Sequence, residues 1–187
     1  MSLSKCAALL RPAGLVMLSL ALAGCGFRPL YLENGAPAAG APQQKASIER
    51  ELAGISVQLG ATRESILLRN NLIFAFTGGG DDSANPVHRL DYTIIKSASP
   101  FTVEAGSGRQ SAAFVTIQVT YQLLRIGSLD PVFRGRAIGR ASFDKPAQRF
   151  AAIRAERDAE DRAVGDVSEA IRNALASYFV QKSQSGS

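Results

Sequence analysis

The sequence predicts an α/β fold of the α+β kind: a two-layer sandwich, four strands in a mixed sheet covered by two helices, ordered β-α-β-β-β-α. Three observations carry that expectation. Residues 113–123 alternate apolar and polar without a break, which is the period of a half-buried strand. Two segments, 63–76 and 147–179, instead place their apolar residues at helical spacing. Glycine- and proline-rich stretches separate these runs, and a mature length of about 160 residues fits one domain with a single core.

Taken in order, Ile55, Val57 and Leu59 alternate with Ser56 and Gln58, a short strand. The helix that follows carries Leu68, Leu72, Ile73 and Phe76 and is stopped by Gly78-Gly79-Gly80, with a loop over 81–86. A second strand over 89–96 puts Leu90, Tyr92 and Ile94 on one face, and Pro100 and Gly106 to Gly108 mark the turn after it. The third strand sets Ala113, Val115, Ile117, Val119, Tyr121 and Leu123 against Thr116, Gln118, Thr120 and Gln122, one face core and one polar. After a hairpin loop at 127–131, the fourth strand, 132–143, places Arg134, Arg136 and Arg140 on one face with Ile138. Phe133, Ala137, Ala141 and Phe143 fall on the other. The last helix has Ala163, Val167, Ile171, Ala174 and Tyr178 as its stripe, and Arg154-Asp158 and Arg157-Asp161 as ion pairs on its wet side.

Before this domain lies a different kind of segment. Lys5 and Arg11 precede an apolar run over 13–23 of about a dozen residues, signal-peptide length and short of the roughly 20 that span a bilayer. It ends in Leu22-Ala23-Gly24-Cys25, the pattern in which the cysteine thiol takes up a diacylglyceryl group. The chain therefore divides into a signal peptide (1–24), a lipidated N-terminus and flexible tether (25–47), a folded domain (48–182) and a disordered tail (183–187). The tether reading rests on 33–46, rich in Ala, Pro and Gly and without periodicity. Gly26 rather than Asp after Cys25 favours the outer membrane, by resemblance to enterobacterial sorting.

Composition narrows the chemistry. The two cysteines are Cys6, removed with the signal, and Cys25, so none remains for a disulfide, a thiolate metal site or a nucleophile. The formal charge of +5 falls to +3 once Lys5 and Arg11 are gone, mildly basic and suited to an anionic partner. No basic-aromatic motif points to nucleic acid. His88, the single histidine, reads as a surface or strand-edge residue with no nucleophile to serve. The acidic run 156–161, interleaved with Arg154, Arg157 and Arg162, reads as a self-paired solvated helix face and not as a metal site. The expectation is a non-enzymatic protein with no cofactor and no metal.

The candidate binding residues are basic. The row Arg134, Arg136, Arg140 fits phosphates or carboxylates, each of which a guanidinium fork can hold by two parallel hydrogen bonds, or else is a solvent face whose charges prevent edge aggregation. Phe27, Pro29, Leu30 and Tyr31, directly after Cys25, either pack against a wall or the bilayer interface or form a disordered leader.

With these elements placed, the chain resembles the LPS-assembly lipoprotein family, LptE. The residues that carry the resemblance are Cys-Gly-Phe-Arg-Pro-Leu-Tyr at 25–31, Leu68-Arg69-Asn70-Asn71-Leu72, Phe143-Asp144-Lys145-Pro146, and Ala155-Glu156-Arg157-Asp158-Ala159 in the last helix. The resemblance implies a plug in the lumen of the outer-membrane barrel LptD, one that binds lipopolysaccharide and assists its insertion into the outer leaflet. It also implies a scaffold role in barrel assembly and a lipid anchor on the periplasmic side. The family's basic contact positions do not carry over residue by residue, since they fall near Glu104 and Ala152; basic groups stand instead at Arg109, Arg149 and Arg154, and the LPS-binding candidates are Arg109 and Arg149 with the strand row Arg134, Arg136 and Arg140. The alternative is an anchored accessory lipoprotein of another envelope complex that binds only protein.

Overall fold

The unbroken alternation of the third strand organises the whole molecule. The computed structural model describes the backbone of residues 41–103 and 110–185, and the side chains of 46–101 and 111–185. Along it run α1 (Ala41–Ala53), β1 (Ile55–Val57), α2 (Arg63–Thr77), β2 (His88–Val103), β3 (Gln110–Arg125), β4 (Pro131–Asp144) and α3 (Arg149–Ser185). The sheet order is β1-β2-β3-β4, with β1 parallel to β2 and the other pairs antiparallel. It is the four-stranded mixed sheet of an α+β fold, with one helix more than expected among the described residues.

That extra helix is α1. Its residues 41–46 belong to the stretch that reads as tether, yet they are helical. The segment is built of Ala, Gln, Lys and Glu, all good helix formers, and proline stands at its second position, where a missing N–H costs nothing. Ile48 and Leu52, four apart, then dock it on the core.

Two devices bound α2. Thr62 is its N-cap and forms a reciprocal capping box with Ser65; Gly78 ends it in the left-handed region at φ 71°, its N–H donating to the Phe74 carbonyl at 2.9 Å. The β1-α2-β2 crossover lays α2 on the same face of the sheet as α3. On that face all six residues expected from β3 are buried, with Leu90 of β2 and Ala137, Ala141 and Phe143 of β4.

The long helix fits the long strands. At 37 residues α3 is about 55 Å long, and the 16 residues of β2 or β3 span about 53 Å. Small residues let the layers close: a Cβ on Gly139 would stand 2.1 Å from the carbonyl oxygen of Ala163, so only glycine admits the helix here. The stripe of α3 runs through Ala159, Ala163, Val167, Ile171, Leu175 and Phe179, while Ala174 and Tyr178 lie at its margin.

Two sequence expectations are corrected. His88 is not at the surface: it is 1 % exposed, edge-on to Phe179, with no hydrogen-bond partner on either ring nitrogen among the described residues. Burial, reinforced by the charge of Lys182, lowers its pKa. Nor is the acidic run paired only with itself. Glu160 is buried and meets Arg63 at 3.1 Å and Lys96 at 2.9 Å, while Asp161 meets Arg63 at 2.7 Å, so α2, β2 and α3 are tied at one point. Lys96 also bonds Glu64, and that bond is the main reason the Glu64 carboxyl titrates low and the Lys96 ammonium high. Asp158 pairs with Arg162 at 3.1 Å, so neither expected pair, Arg154-Asp158 or Arg157-Asp161, forms among the described residues.

Candidate functional site

The helices leave the other face of the sheet open. Because side chains alternate along a strand, the residues of β4 that are not core all point there, and Arg134, Arg136 and Arg140 are exposed on that face as expected. The register extends the row across the sheet. Asp91, Gln122 and Arg134 lie side by side; so do Thr93, Thr120 and Arg136, then Ile95, Gln118 and Ile138, then Ser97, Thr116 and Arg140.

This face is chemically graded. At one end Gln58, Asp91, Thr93, Thr120, Gln122 and Arg134 line a shallow concavity of about 540 Å³. Asp91 is held there by Arg89 at 2.8 Å. In the middle, Ile95 and Ile138 are more than half exposed. At the far end Phe101 stacks on Phe114 with ring centroids 4.4 Å apart, and Arg140 covers Phe114 at 5.5 Å while its Nε donates to Thr116 Oγ1 at 3.3 Å. Arg134 and Arg136 form no ion pair among the described residues. Cations without counter-charges, interleaved with exposed aliphatic and aromatic side chains, are an arrangement that fits an anionic amphiphile: guanidinium forks for phosphate or carboxylate, apolar side chains for the chains beside it.

Not every candidate joins the row. Arg149 opens α3 in the helical layer, exposed, and is not part of the open face. Arg109 and Cys25 lie outside the described residues, as do 1–40 and therefore most of the segment read as signal and tether. The apolar members Ile95, Phe101 and Phe114 were missed in the sequence. Phe114 carried a signal, since it interrupts the polar side of β3, two residues before Thr116.

Among the described residues no group of three or more His, Cys, Asp or Glu is placed to hold a metal, and no helix is long and apolar enough to cross a membrane.

No protein-family model matches the chain, and no curated protein matches it. Solved structures do. A candidate lipoprotein of Caulobacter crescentus CB15 aligns over 73 % of this chain and 98 % of its own, at TM-score 0.61 and 21 % identity. Rare lipoprotein B of Shewanella oneidensis aligns over 69 % and 96 %, at TM-score 0.52 and 15 % identity. These likenesses are of fold.

Proposed function

We propose that this chain is a lipid-anchored outer-membrane lipoprotein of the LptE type. In this reading Cys25 carries the acyl chains on the periplasmic side, and the domain plugs an LptD-type barrel and helps to assemble it. It also binds lipopolysaccharide on its way to the outer leaflet. The role is non-enzymatic, one of binding and scaffolding. The observation that carries it is the open sheet face, where Arg134, Arg136 and Arg140 stand with Ile95, Ile138 and Phe114. The cleavage pattern ending at Cys25, and a fold like that of two proteins described as lipoproteins, support the anchoring.

The affinity to expect from the row is modest and depends on salt. Each charge-assisted bond contributes about 1.5–3 kcal/mol when formed, less where water screens it. Replacing all three arginines by glutamine should weaken lipopolysaccharide binding by about ten- to a hundredfold at low salt, with the gap closing as salt rises. A mild-detergent pull-down of the tagged mature protein from outer membranes tests the partner, and titration with lipopolysaccharide tests the row. Retention of a large barrel and a weakened triple variant are the expected results. An inner-membrane complex in the pull-down would replace this reading with that of a protein-only accessory lipoprotein. Equal binding by the triple variant would remove the row from the site.

A further inference from the structure

In an antiparallel ladder the N–H and C=O of a residue point to the same side, and the side alternates along the strand. Two contacts set the phase of β4. The N–H of Lys145 donates to the Ser111 carbonyl at 2.8 Å, so odd-numbered residues face β3. The Ser142 carbonyl instead accepts from Arg162 Nη2 at 2.9 Å, so even-numbered residues face outward. Since β4 is the last strand of the sheet, the backbone groups of Arg134, Arg136, Ile138 and Arg140 line a free edge. Among the described residues none of them has a backbone partner beyond the strand, and Arg162 closes the edge only at its Ser142 end.

We infer that this edge accepts an extended segment of a partner protein as a fifth strand, and that the segment carries acidic side chains at alternate positions. An added strand would set every second side chain on the open face, about 4.5–5.5 Å from the residue opposite on β4. Three of the four β4 side chains waiting there are arginines. Edge charges deter unwanted pairing, and the same charges select a segment of opposite sign. They also argue against a second copy of this chain. Two β4 edges paired about a two-fold axis would bring six guanidinium groups onto one continuous face. Main-chain bonds would supply the affinity and the arginines the choice of partner, as in other strand additions.

The test uses the full chain in detergent and three ten-residue peptides: glutamate alternating with threonine or valine, the same with lysine for glutamate, and the acidic composition with its glutamates grouped. The alternating acidic peptide should bind more tightly than the other two and slow amide exchange at Arg134, Arg136, Ile138 and Arg140. Ile138→Pro removes one outward N–H that no ladder bond uses, so the fold should keep its melting temperature. Peptide affinity should nevertheless fall about tenfold, the equivalent of losing a net hydrogen bond or two. Ala137→Pro, whose N–H faces β3, should unfold the sheet instead and so verify the phase. No binding of the alternating peptide overturns the inference, as does equal binding by Ile138→Pro, which would mean that the guanidiniums act as point charges. Protection of the same amides without peptide, rising with protein concentration, would give the edge to a second copy. Lipopolysaccharide titration of the unsubstituted chain is read beside the peptide binding: if the alternating peptide fails while lipopolysaccharide still binds, this inference falls and the proposed function stands, and the reverse outcome does the opposite.

Discussion

Between pH 7.5 and 5.5, acidification should weaken this fold through His88. Its imidazole is buried against Phe179, and neither nitrogen has a hydrogen-bond partner among the described residues. Burial is the first cause of its lowered pKa; Lys182 and Arg125 push the same way, and Glu51 opposes them. The folded state therefore holds the ring neutral where the unfolded chain, with its ordinary value of 6.5, begins to take up a proton. Protons bound only by the unfolded state favour unfolding. The contribution of His88 is thus complete above pH 6.5 and is lost as pH falls toward the folded-state value. If the folded ring stays neutral throughout, the loss between pH 7.5 and 5.5 is about 1.4 kcal/mol. Leucine at 88 has similar volume and no nitrogen to leave unsatisfied. His88→Leu should forfeit roughly 1 kcal/mol of edge contact with Phe179, regain a comparable amount from the removed polar atoms, and flatten the pH dependence. Urea unfolding of both proteins at pH 7.5, 6.5 and 5.5 measures this directly. Parallel stability curves for the two would show that the buried ring is not excluding its proton, and the argument would fail.

Three further substitutions probe how the layers are joined. Glu160→Ala removes the carboxylate shared by Arg63 and Lys96; both cations are nearly half exposed and keep Asp161 and Glu64, so the cost should be about 1–2 kcal/mol in urea unfolding, not the larger penalty of stranded buried charge. Gly139→Ala drives a methyl into the backbone of Ala163 and should cost about 3 kcal/mol, with a melting-temperature drop that Gly139→Ser reproduces. Thr62→Ala deletes the cap of α2 and should lose about 1 kcal/mol, seen also as faster amide exchange in its first turn.

The sheet was legible because β3 obeys a period of two over residues 113–123, and β4 inherits its faces from the same rule. The sequence alone therefore places Arg134, Arg136 and Arg140 together. What was not legible depended on the other layer. His88 has the flanks of an exposed residue, with Pro86 before it and Arg89 after; only the docking of Phe179 covers it. Glu160 looked like one more charge in a charged run, because its partners lie 64 and 97 residues away. Helix α1 hid inside an alanine-proline composition, since two apolar residues four apart give little periodicity to find. On the candidate site, the cations were visible and their apolar neighbours were not, because Phe101 and Phe114 meet only through strand pairing.

The row of arginines must be either structural or reserved for something outside the chain, and stability separates the two. Arg134 and Arg136 stand about 6.6 Å apart along β4. Two unit charges at that distance in water repel by about 0.6 kcal/mol before salt screens them. Neither has an ion-pair partner among the described residues to offset that cost, and the intramolecular gains in the row belong to Arg140, through Phe114 and Thr116. Arg134→Gln with Arg136→Gln should therefore leave the unfolding free energy unchanged or raise it by a few tenths of a kcal/mol, the gain being larger at low salt. Arg140→Gln alone should cost about 0.5–1 kcal/mol through the lost cation–π contact. A double variant destabilised by more than 1 kcal/mol would mean that the fold itself uses these charges, and they could no longer be assigned to a partner. A double variant of full stability leaves the arginines with nothing to do inside the chain, and places the reason for their clustering in what the open face binds.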